Sequence, residues 1–126
     1  MQRILIVDDI FVNRFLLREI VKSIYNVCFE AQNGKEAIEI LQKEKIDVIL
    51  MDIEMPVMNG LEATKYIREK LPSPLKYIPI IALTAHNPAN FFDDFRNAGF
   101  DFLMTKPYSI DKITHAIENV LPKSKV

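Results

Sequence analysis

Three runs of consecutive apolar residues constrain the fold of this chain more than any other feature. They are "ILIV", "VILM" and "IPIIAL", at residues 4–7, 48–51 and 78–83. A strand with one face in water alternates apolar and polar residues, whereas a strand of a parallel sheet is covered on both faces and is apolar throughout. Longer amphipathic segments separate the runs, as expected of helices that cover both faces of such a sheet.

The alternation of short and long segments predicts five strands and five helices in an α/β, doubly wound parallel sheet. The two weaker strand candidates are residues 27–29 and 101–105. The predicted helices are residues 12–23, 33–44, 60–71, 87–99 and 109–121. We expect a single domain over residues 1–126, with a core of 2–121 and a short basic tail of 122–126.

Apolar spacing also predicts which helix faces are buried. In the first helix, near-helical spacing selects Phe15, Leu16, Ile20 and Ile24. In the penultimate helix, Phe91, Phe95 and Ala98 recur at helical spacing and are expected in the core, whereas Phe92 falls off that stripe. We expect Phe92 on a surface that contacts a partner. Ser109 and Asp111 are available to cap the last helix.

Composition excludes several classes of function. The chain has 16 basic and 17 acidic residues, so it lacks the basic excess typical of nucleic-acid-binding proteins. A single cysteine, Cys28, permits no intrachain disulfide and no cysteine-based zinc site. No signal peptide and no apolar run of membrane-spanning length is present, so the expected location is cytoplasmic, with no membrane partner.

Polar residues follow four of the predicted strands at the points where these strands end. In a doubly wound sheet, ligands bind outside the carboxyl ends of the strands, so these residues belong to one set. The set comprises Asp8 and Asp9 after the first strand, Asp52 after the third, Thr84 after the fourth and Lys106 after the fifth. Singly, the aspartates could cap a helix, Thr84 could be a strand-end hydroxyl and Lys106 a solvated lysine.

Together, these residues indicate phosphoryl chemistry. Three adjacent carboxylates raise one another's pKa and need a cation, for which all-oxygen ligation favours magnesium. Thr84 and Lys106 can donate to phosphoryl oxygens, and Asp52 can act as a nucleophile that forms an acyl phosphate. Three glycines and no glycine-rich loop argue against a nucleotide site. We therefore expect a phosphoprotein or a small acyl phosphate as the donor.

Four sequence segments resemble the receiver domains of two-component response regulators. They are "ILIVDD", "VILMDIEMPVMNG", "IIALTA" and "FDFLMTKP", and the resemblance extends over residues 2–121. The segments "VDDIFVNRFLL", "AQNGKEAIEIL" and "LTAH" are most similar to receivers attached to hybrid sensor histidine kinases. The resemblance implies a flavodoxin-like, chemotaxis-regulator-like fold with strand order 2-1-3-4-5.

The resemblance also implies the role of each acidic residue. Asp52 matches the phosphoacceptor, Asp9 the direct magnesium ligand and Asp8 a ligand that acts through water. The backbone carbonyl of Glu54 would complete the protein ligands of Mg²⁺, for which Mn²⁺ is a substitute. The side chains of Glu54 and His86 would tune autodephosphorylation.

Three further positions have implied roles in switching. Thr84 matches the hydroxyl that moves toward the phosphoryl group, and Lys106 the lysine that pairs with it. Phe102 occupies the aromatic switch position, where this sequence lacks the hydroxyl of a tyrosine. The family also implies a cis peptide bond between Lys106 and Pro107, which is affordable only before proline.

The resulting expectation is a signalling switch rather than an enzyme that turns over an external substrate. A histidine kinase or histidine phosphotransfer protein would donate the phosphoryl group, and an unknown downstream protein would read the altered surface of a monomer or a phosphorylation-dependent dimer. One alternative is a degenerate receiver that binds proteins without phosphorylation. Another is a small phosphatase, since Asp52-x-Glu54 places an acid two residues after a nucleophile. A free-standing regulator and a receiver from a hybrid kinase both fit.

Overall fold

The computed structural model describes residues 2–25, 27–85 and 97–121. Its five strands form one parallel sheet in the order β2-β1-β3-β4-β5. The strands are β1 (Arg3–Val7), β2 (Val27–Ala31), β3 (Val48–Asp52), β4 (Ile80–Thr84) and β5 (Phe102–Thr105). The predicted doubly wound sheet and its implied strand order are therefore confirmed.

Four α-helices lie within the described residues, whereas the sequence analysis predicted five over the whole chain. They are α1 (Phe11–Lys22), α2 (Gly34–Lys43), α3 (Gly60–Lys70) and α4 (Ile110–Val120), with a 3₁₀ helix at Leu75–Tyr77. Most of the fifth predicted helix, residues 87–99, lies outside the described residues, as do Phe91, Phe92 and Phe95. No helix in the described part of the chain is long and apolar enough to cross a membrane.

Side-chain hydrogen bonds cap the N-termini of α2, α3 and α4. The side chains of Asn33, Asn59 and Ser109 each accept a hydrogen bond from the backbone N–H three residues later. At Asn59 the bond is reciprocal, because the Glu62 carboxylate accepts from the Asn59 N–H at 3.0 Å. Such caps stabilise a helix by about 1 kcal/mol each. Ser109, one of the two predicted caps of the last helix, is the one used.

The sheet separates two apolar layers, which explains the uninterrupted apolar runs. Leu5 and Val7 pack on the face covered by α2 and α3, while Ile4 and Ile6 pack on the face covered by α1 and α4. All four side chains are fully buried. The same division holds in β3 and β4, so each central strand must be apolar at every position.

The inner face of α1 differs from the predicted one. Arg14, Leu17 and Val21 are buried, whereas Phe15 and Leu16 are 47% and 52% exposed. The prediction was wrong for Phe15 and Leu16, because a charged residue takes the inner position at the start of the stripe, whereas Ile20 packs partly buried against the layer of α1 and α4. The guanidinium of Arg14 donates to the backbone carbonyl of Asp8 at 2.8 Å and to the Glu30 carboxylate at 3.3 Å, so its burial is compensated.

Candidate functional site

The register of the sheet brings four chain segments to one edge. Val7 aligns with Met51, Asp52 with Leu83, and Thr84 with Thr105. Hydrogen bonds between neighbouring strands continue beyond these pairs: Asp8 N–H donates to Ala31 at 3.1 Å, Ile53 N–H to Leu83 at 3.3 Å and Lys106 N–H to Thr84 at 2.9 Å. The residues expected at the carboxyl ends of the strands therefore lie together.

A cluster of three carboxylates occupies this edge. One carboxylate oxygen from each of Asp8, Asp9 and Asp52 lies within 4.8 Å of the corresponding oxygens of the other two. Asp8 is fully buried and Asp52 is 5% exposed, whereas Asp9 is partly exposed. Carboxylates at these separations repel one another unless a cation or protons offset their charge.

Asp8 has an unsatisfied oxygen that fits a cation site. Its Oδ1 accepts a hydrogen bond from the Ile10 N–H at 2.9 Å, but its buried Oδ2 has no hydrogen-bond partner among the described residues. Neither aspartate is the N-cap residue of α1: that residue is Ile10, and no side-chain cap hydrogen bond begins the helix. Oxygen ligands clustered in this way suit Mg²⁺, which uses few carboxylates and keeps several waters.

Lys106 supplies the positive charge of the cluster. Its Nζ lies 3.8 Å from Asp52 Oδ1, and its side chain is 28% exposed while that of Asp52 is 7% exposed. A small cavity of about 90 Å³ opens between them. It is lined by Ile10, Asp52, Ile53, Glu54, Thr84, Ala85 and Lys106. Four of the predicted site residues thus share one small space, and Thr84 is buried within it.

In the metal-free cluster, burial and neighbouring charge raise the pKa values of the two buried carboxylates. Burial, followed by the neighbouring charge of Asp8, raises the pKa of Asp52 from 3.8 to about 6, although Lys106 opposes this shift. Burial likewise raises the pKa of Asp8, against the lowering effect of the Ile10 N–H. With a pKa of about 6, Asp52 remains mostly ionised at pH 7 and available as a nucleophile.

Two residues that support the site were missed by sequence reasoning. Arg14 binds the backbone carbonyl of Asp8, and its helical spacing with Leu17 and Val21 was the available signal. Gly60 begins α3 directly against β3, where its N–H donates to the Ile53 carbonyl at 2.9 Å. A Cβ at Gly60 would collide with the backbone carbonyl oxygen of Asp52. This contact has no signature in the sequence beyond the glycine itself.

The remaining predicted residues lie away from the carboxylates or outside the described part. Phe102 opens β5, is partly buried, and its ring meets that of His115 edge-on, with 6.2 Å between ring centres. His115 is exposed on α4, and His86 lies outside the described residues. The peptide bond between Lys106 and Pro107 is cis, which confirms that prediction.

Known proteins are similar to this chain in sequence and in fold. The family model described as response regulator receiver domain matches residues 4–118. The sporulation initiation phosphotransferase F of Bacillus subtilis strain 168 is 34% identical over 121 residues, which cover 96% of this chain and 94% of that protein.

Solved structures extend the comparison. The chemotaxis protein CheY4 of Vibrio cholerae superimposes with a TM-score of 0.88 at 29% identity, covering 96% of this chain and 99% of that one. The receiver domain of the sensor histidine kinase PA1611 from Pseudomonas aeruginosa PAO1 superimposes with a TM-score of 0.84 at 28% identity, covering 94% and 96%. That structure has a magnesium ion coordinated in its active site cleft. The chain therefore belongs to the response regulator receiver domain family of two-component signalling.

Proposed function

We propose that residues 1–126 form one receiver domain that takes a phosphoryl group from a phosphohistidine protein onto Asp52. The observation that carries the proposal is the placement of Asp52. Its buried carboxylate lies within 4.8 Å of two further carboxylates and 3.8 Å from an ammonium group. A solvated loop aspartate would need neither the cluster nor the cation, whereas a phosphoacceptor needs both.

The transfer uses few groups of the protein. An oxygen of the Asp52 carboxylate forms a bond to phosphorus while the phosphorus–nitrogen bond of phosphohistidine breaks. The electron pair of that bond stays on the imidazole, which then takes a proton. Lys106 stabilises the charge on the transferring oxygens, and the cavity beside Asp52 leaves room for them.

The proposed metal is Mg²⁺, with Mn²⁺ as a substitute. Asp9, Asp52 and the backbone carbonyl of Glu54 would hold it directly, and Asp8 would hold it through water. When bound, the ion supplies positive charge to the carboxylates and to the phosphoryl oxygens. The unsatisfied Asp8 Oδ2 and the magnesium ion in the related Pseudomonas receiver support this assignment.

Phosphorylation would act as a switch. The new group adds a charge of about −1.5 to −2 at neutral pH, which attracts the Thr84 hydroxyl and the Lys106 ammonium. A shift at Thr84 would alter the loop after β4 and bias Phe102, and a downstream protein would then read the changed surface. Thr84 ends β4 and Phe102 begins β5, and these two strands are adjacent: Thr84 pairs with Thr105 and Ile81 with Phe102.

Acyl-phosphate labelling tests the proposed function. Incubation with radiolabelled acetyl phosphate and Mg²⁺ should give a label on the wild-type protein that is labile to acid, base and hydroxylamine, as an acyl phosphate is. Chelation of the metal should remove nearly all incorporation, and so should Asp52→Asn. The matched control is Asp111→Asn, an exposed aspartate in the first turn of α4, which should label normally. Undiminished labelling of the Asp52 variant would refute the assignment.

An exposed apolar patch on and before α1 is a candidate docking surface for the phosphodonor protein. Its members are Ile10, Phe11, Val12, Phe15 and Leu16, each between 47% and 67% exposed. Ile10 also lines the cavity beside Asp52, so the patch adjoins the proposed acceptor. Contiguous exposed apolar side chains of this kind mark protein-interaction sites. We propose that an apolar helical surface around the donor histidine covers this patch.

Phe15→Ala should therefore slow phosphotransfer from a phosphohistidine protein by about tenfold, the loss typical of an interface anchor. Labelling by acetyl phosphate should remain unchanged, because the small donor needs no docking surface. Tyr77→Ala is the control: Tyr77 is 71% exposed and belongs to the 3₁₀ helix rather than to the patch. Equal slowing with both donors would place the defect in the acceptor site instead of the docking surface.

A further inference from the structure

Arg14 is a charged residue on the buried face of α1. It lies on the inner side of the helix together with Leu17 and Val21, and it is 8% exposed. Replacing a buried charged group and its partner by apolar residues of similar volume is often neutral or stabilising, so packing alone does not require an arginine at this position. The hydrogen bonds of its guanidinium therefore point to a further role.

The guanidinium of Arg14 has two acceptors, which differ in how much they depend on it. Its Nε lies 3.3 Å from the Glu30 carboxylate, which is 31% exposed and also pairs with Arg18 at 3.5 Å. Its Nη1 donates to the backbone carbonyl of Asp8 at 2.8 Å, and this bond is buried. Glu30 thus keeps water and a second cation without Arg14. The contact with Asp8 is the one that only Arg14 makes among the side chains of the described residues.

The bond from Arg14 completes a set of contacts that hold Asp8 in place. The Asp8 N–H donates to the Ala31 carbonyl at 3.1 Å, and its Oδ1 accepts from the Ile10 N–H at 2.9 Å. Its Oδ2 is the oxygen left without a partner among the described residues. The carbonyl that Arg14 binds belongs to the peptide group between Asp8 and Asp9. Because this peptide group sets the direction in which both side chains leave the backbone, fixing it fixes the two carboxylates relative to each other.

We propose that Arg14 is a positioning residue of the metal site, which increases the affinity for Mg²⁺ by holding the peptide group between Asp8 and Asp9. Groups that hold metal ligands in place commonly change metal affinity by 10–100-fold. The charge of Arg14 acts in the opposite direction, because a positive group beside a cation site weakens cation binding. The inference rests on the proposed function, since it assigns Arg14 a role toward the proposed metal ion.

Magnesium binding by Arg14→Met tests the inference without any phosphorylation step. Isothermal titration with Mg²⁺ alone should show about tenfold weaker binding than wild type, the lower end of the range because Arg14 holds the backbone rather than a carboxylate. If Arg14 acted only through its charge, the variant would bind Mg²⁺ more tightly. An affinity within about twofold of wild type, or a higher one, would overturn the proposal.

Arg18→Met is the matched control for the loss of a positive charge from α1. Arg18 shares Glu30 with Arg14, but its side chain is 44% exposed and its hydrogen bond goes to Glu30 rather than to Asp8. This variant should bind Mg²⁺ at least as tightly as wild type. Urea unfolding establishes that each variant is folded under the binding conditions. A purely structural role of Arg14 would lower the free energy of unfolding without changing the affinity of the folded protein.

A measurement on the wild-type protein covers the case in which Arg14→Met folds poorly. With nitrogen-15 in the arginine side chains, restricted rotation of a bonded guanidinium gives separate NMR signals for its two Nη groups. The signals of Arg14 should be separate both with and without Mg²⁺, and those of the exposed Arg18 should average. Averaging of the Arg14 signals in the Mg²⁺-bound protein would count against the proposal. Wild-type protein that binds no Mg²⁺ would contradict the proposed function itself, whereas normal wild-type binding with an unchanged Arg14→Met affinity would contradict only this inference.

Discussion

Asp52→Asn should stabilise the metal-free protein by about 2 kcal/mol at pH 7, although it removes the proposed phosphoacceptor. The pKa of Asp52 rises from 3.8 to about 6 on folding, so the folded state holds its proton more tightly than the unfolded state does. Tighter proton binding stabilises the folded wild-type protein at low pH. This contribution to the free energy of unfolding is lost as the pH rises from about 4 to about 6. A pKa shift of this size is equivalent to about 3 kcal/mol. We expect the smaller value of about 2 kcal/mol because the carboxylate borders an open cavity, where water screens its charge.

Urea unfolding in the presence of a chelator, measured from pH 4 to pH 8, checks this prediction. The advantage of the variant should be absent near pH 4, grow through pH 6 and then level off. Adding Mg²⁺ should narrow the difference in stability between the variant and the wild-type protein, because the ion binds the folded wild-type protein more tightly than the variant. Asp111→Asn, at an exposed position, should show no comparable pH dependence. A variant no more stable than wild type at pH 7 would mean that the acidic cluster is not strained without metal.

Gly60→Ala should destabilise the protein by about 3 kcal/mol, near the upper end for overpacking a rigid site. The added Cβ would meet the Asp52 carbonyl oxygen and come within 2.9 Å of the Ile53 Cα, both backbone atoms that cannot rotate away. Relief requires movement of α3 or of the end of β3. Because β3 carries Asp52, we also expect the rate of labelling by acetyl phosphate to fall by at least tenfold.

Lys35→Ala is the control for placing alanine in a first helical turn, since Lys35 is exposed in the first turn of α2. It should change the free energy of unfolding by less than about 0.5 kcal/mol. Urea unfolding and initial labelling rates, both measured at saturating Mg²⁺, give the two readouts. A Gly60→Ala protein with wild-type stability and labelling would show that this approach of α3 to β3 is looser than the structure indicates.

The sheet and the acidic cluster could be predicted because each depends on local patterns. An apolar run such as "VILM" identifies a strand covered on both faces, and parallel topology then brings Asp8, Asp52 and Lys106 to one edge. No knowledge of distances was needed. The positions of the side chains follow from which residue ends each strand.

The features that escaped prediction depend on compensation between distant groups. Arg14 occupies the inner face of α1 only because the Asp8 carbonyl and Glu30 satisfy its charge, and neither bond is visible in the spacing of apolar residues. Phe15 is exposed because Arg14 occupies the inner face of α1 in place of an apolar residue.

Direct mapping of the phosphorylated residue tests the central claim. Protein phosphorylated with acetyl phosphate and Mg²⁺ can be reduced with borohydride, which converts an acyl phosphate of aspartate to homoserine. Peptide mass spectrometry then locates the residue whose mass has changed. Our account predicts homoserine at position 52 and at no other acidic position, with no product when the metal is chelated. Reduction at Asp8, Asp9 or Glu54 in place of Asp52 would contradict it.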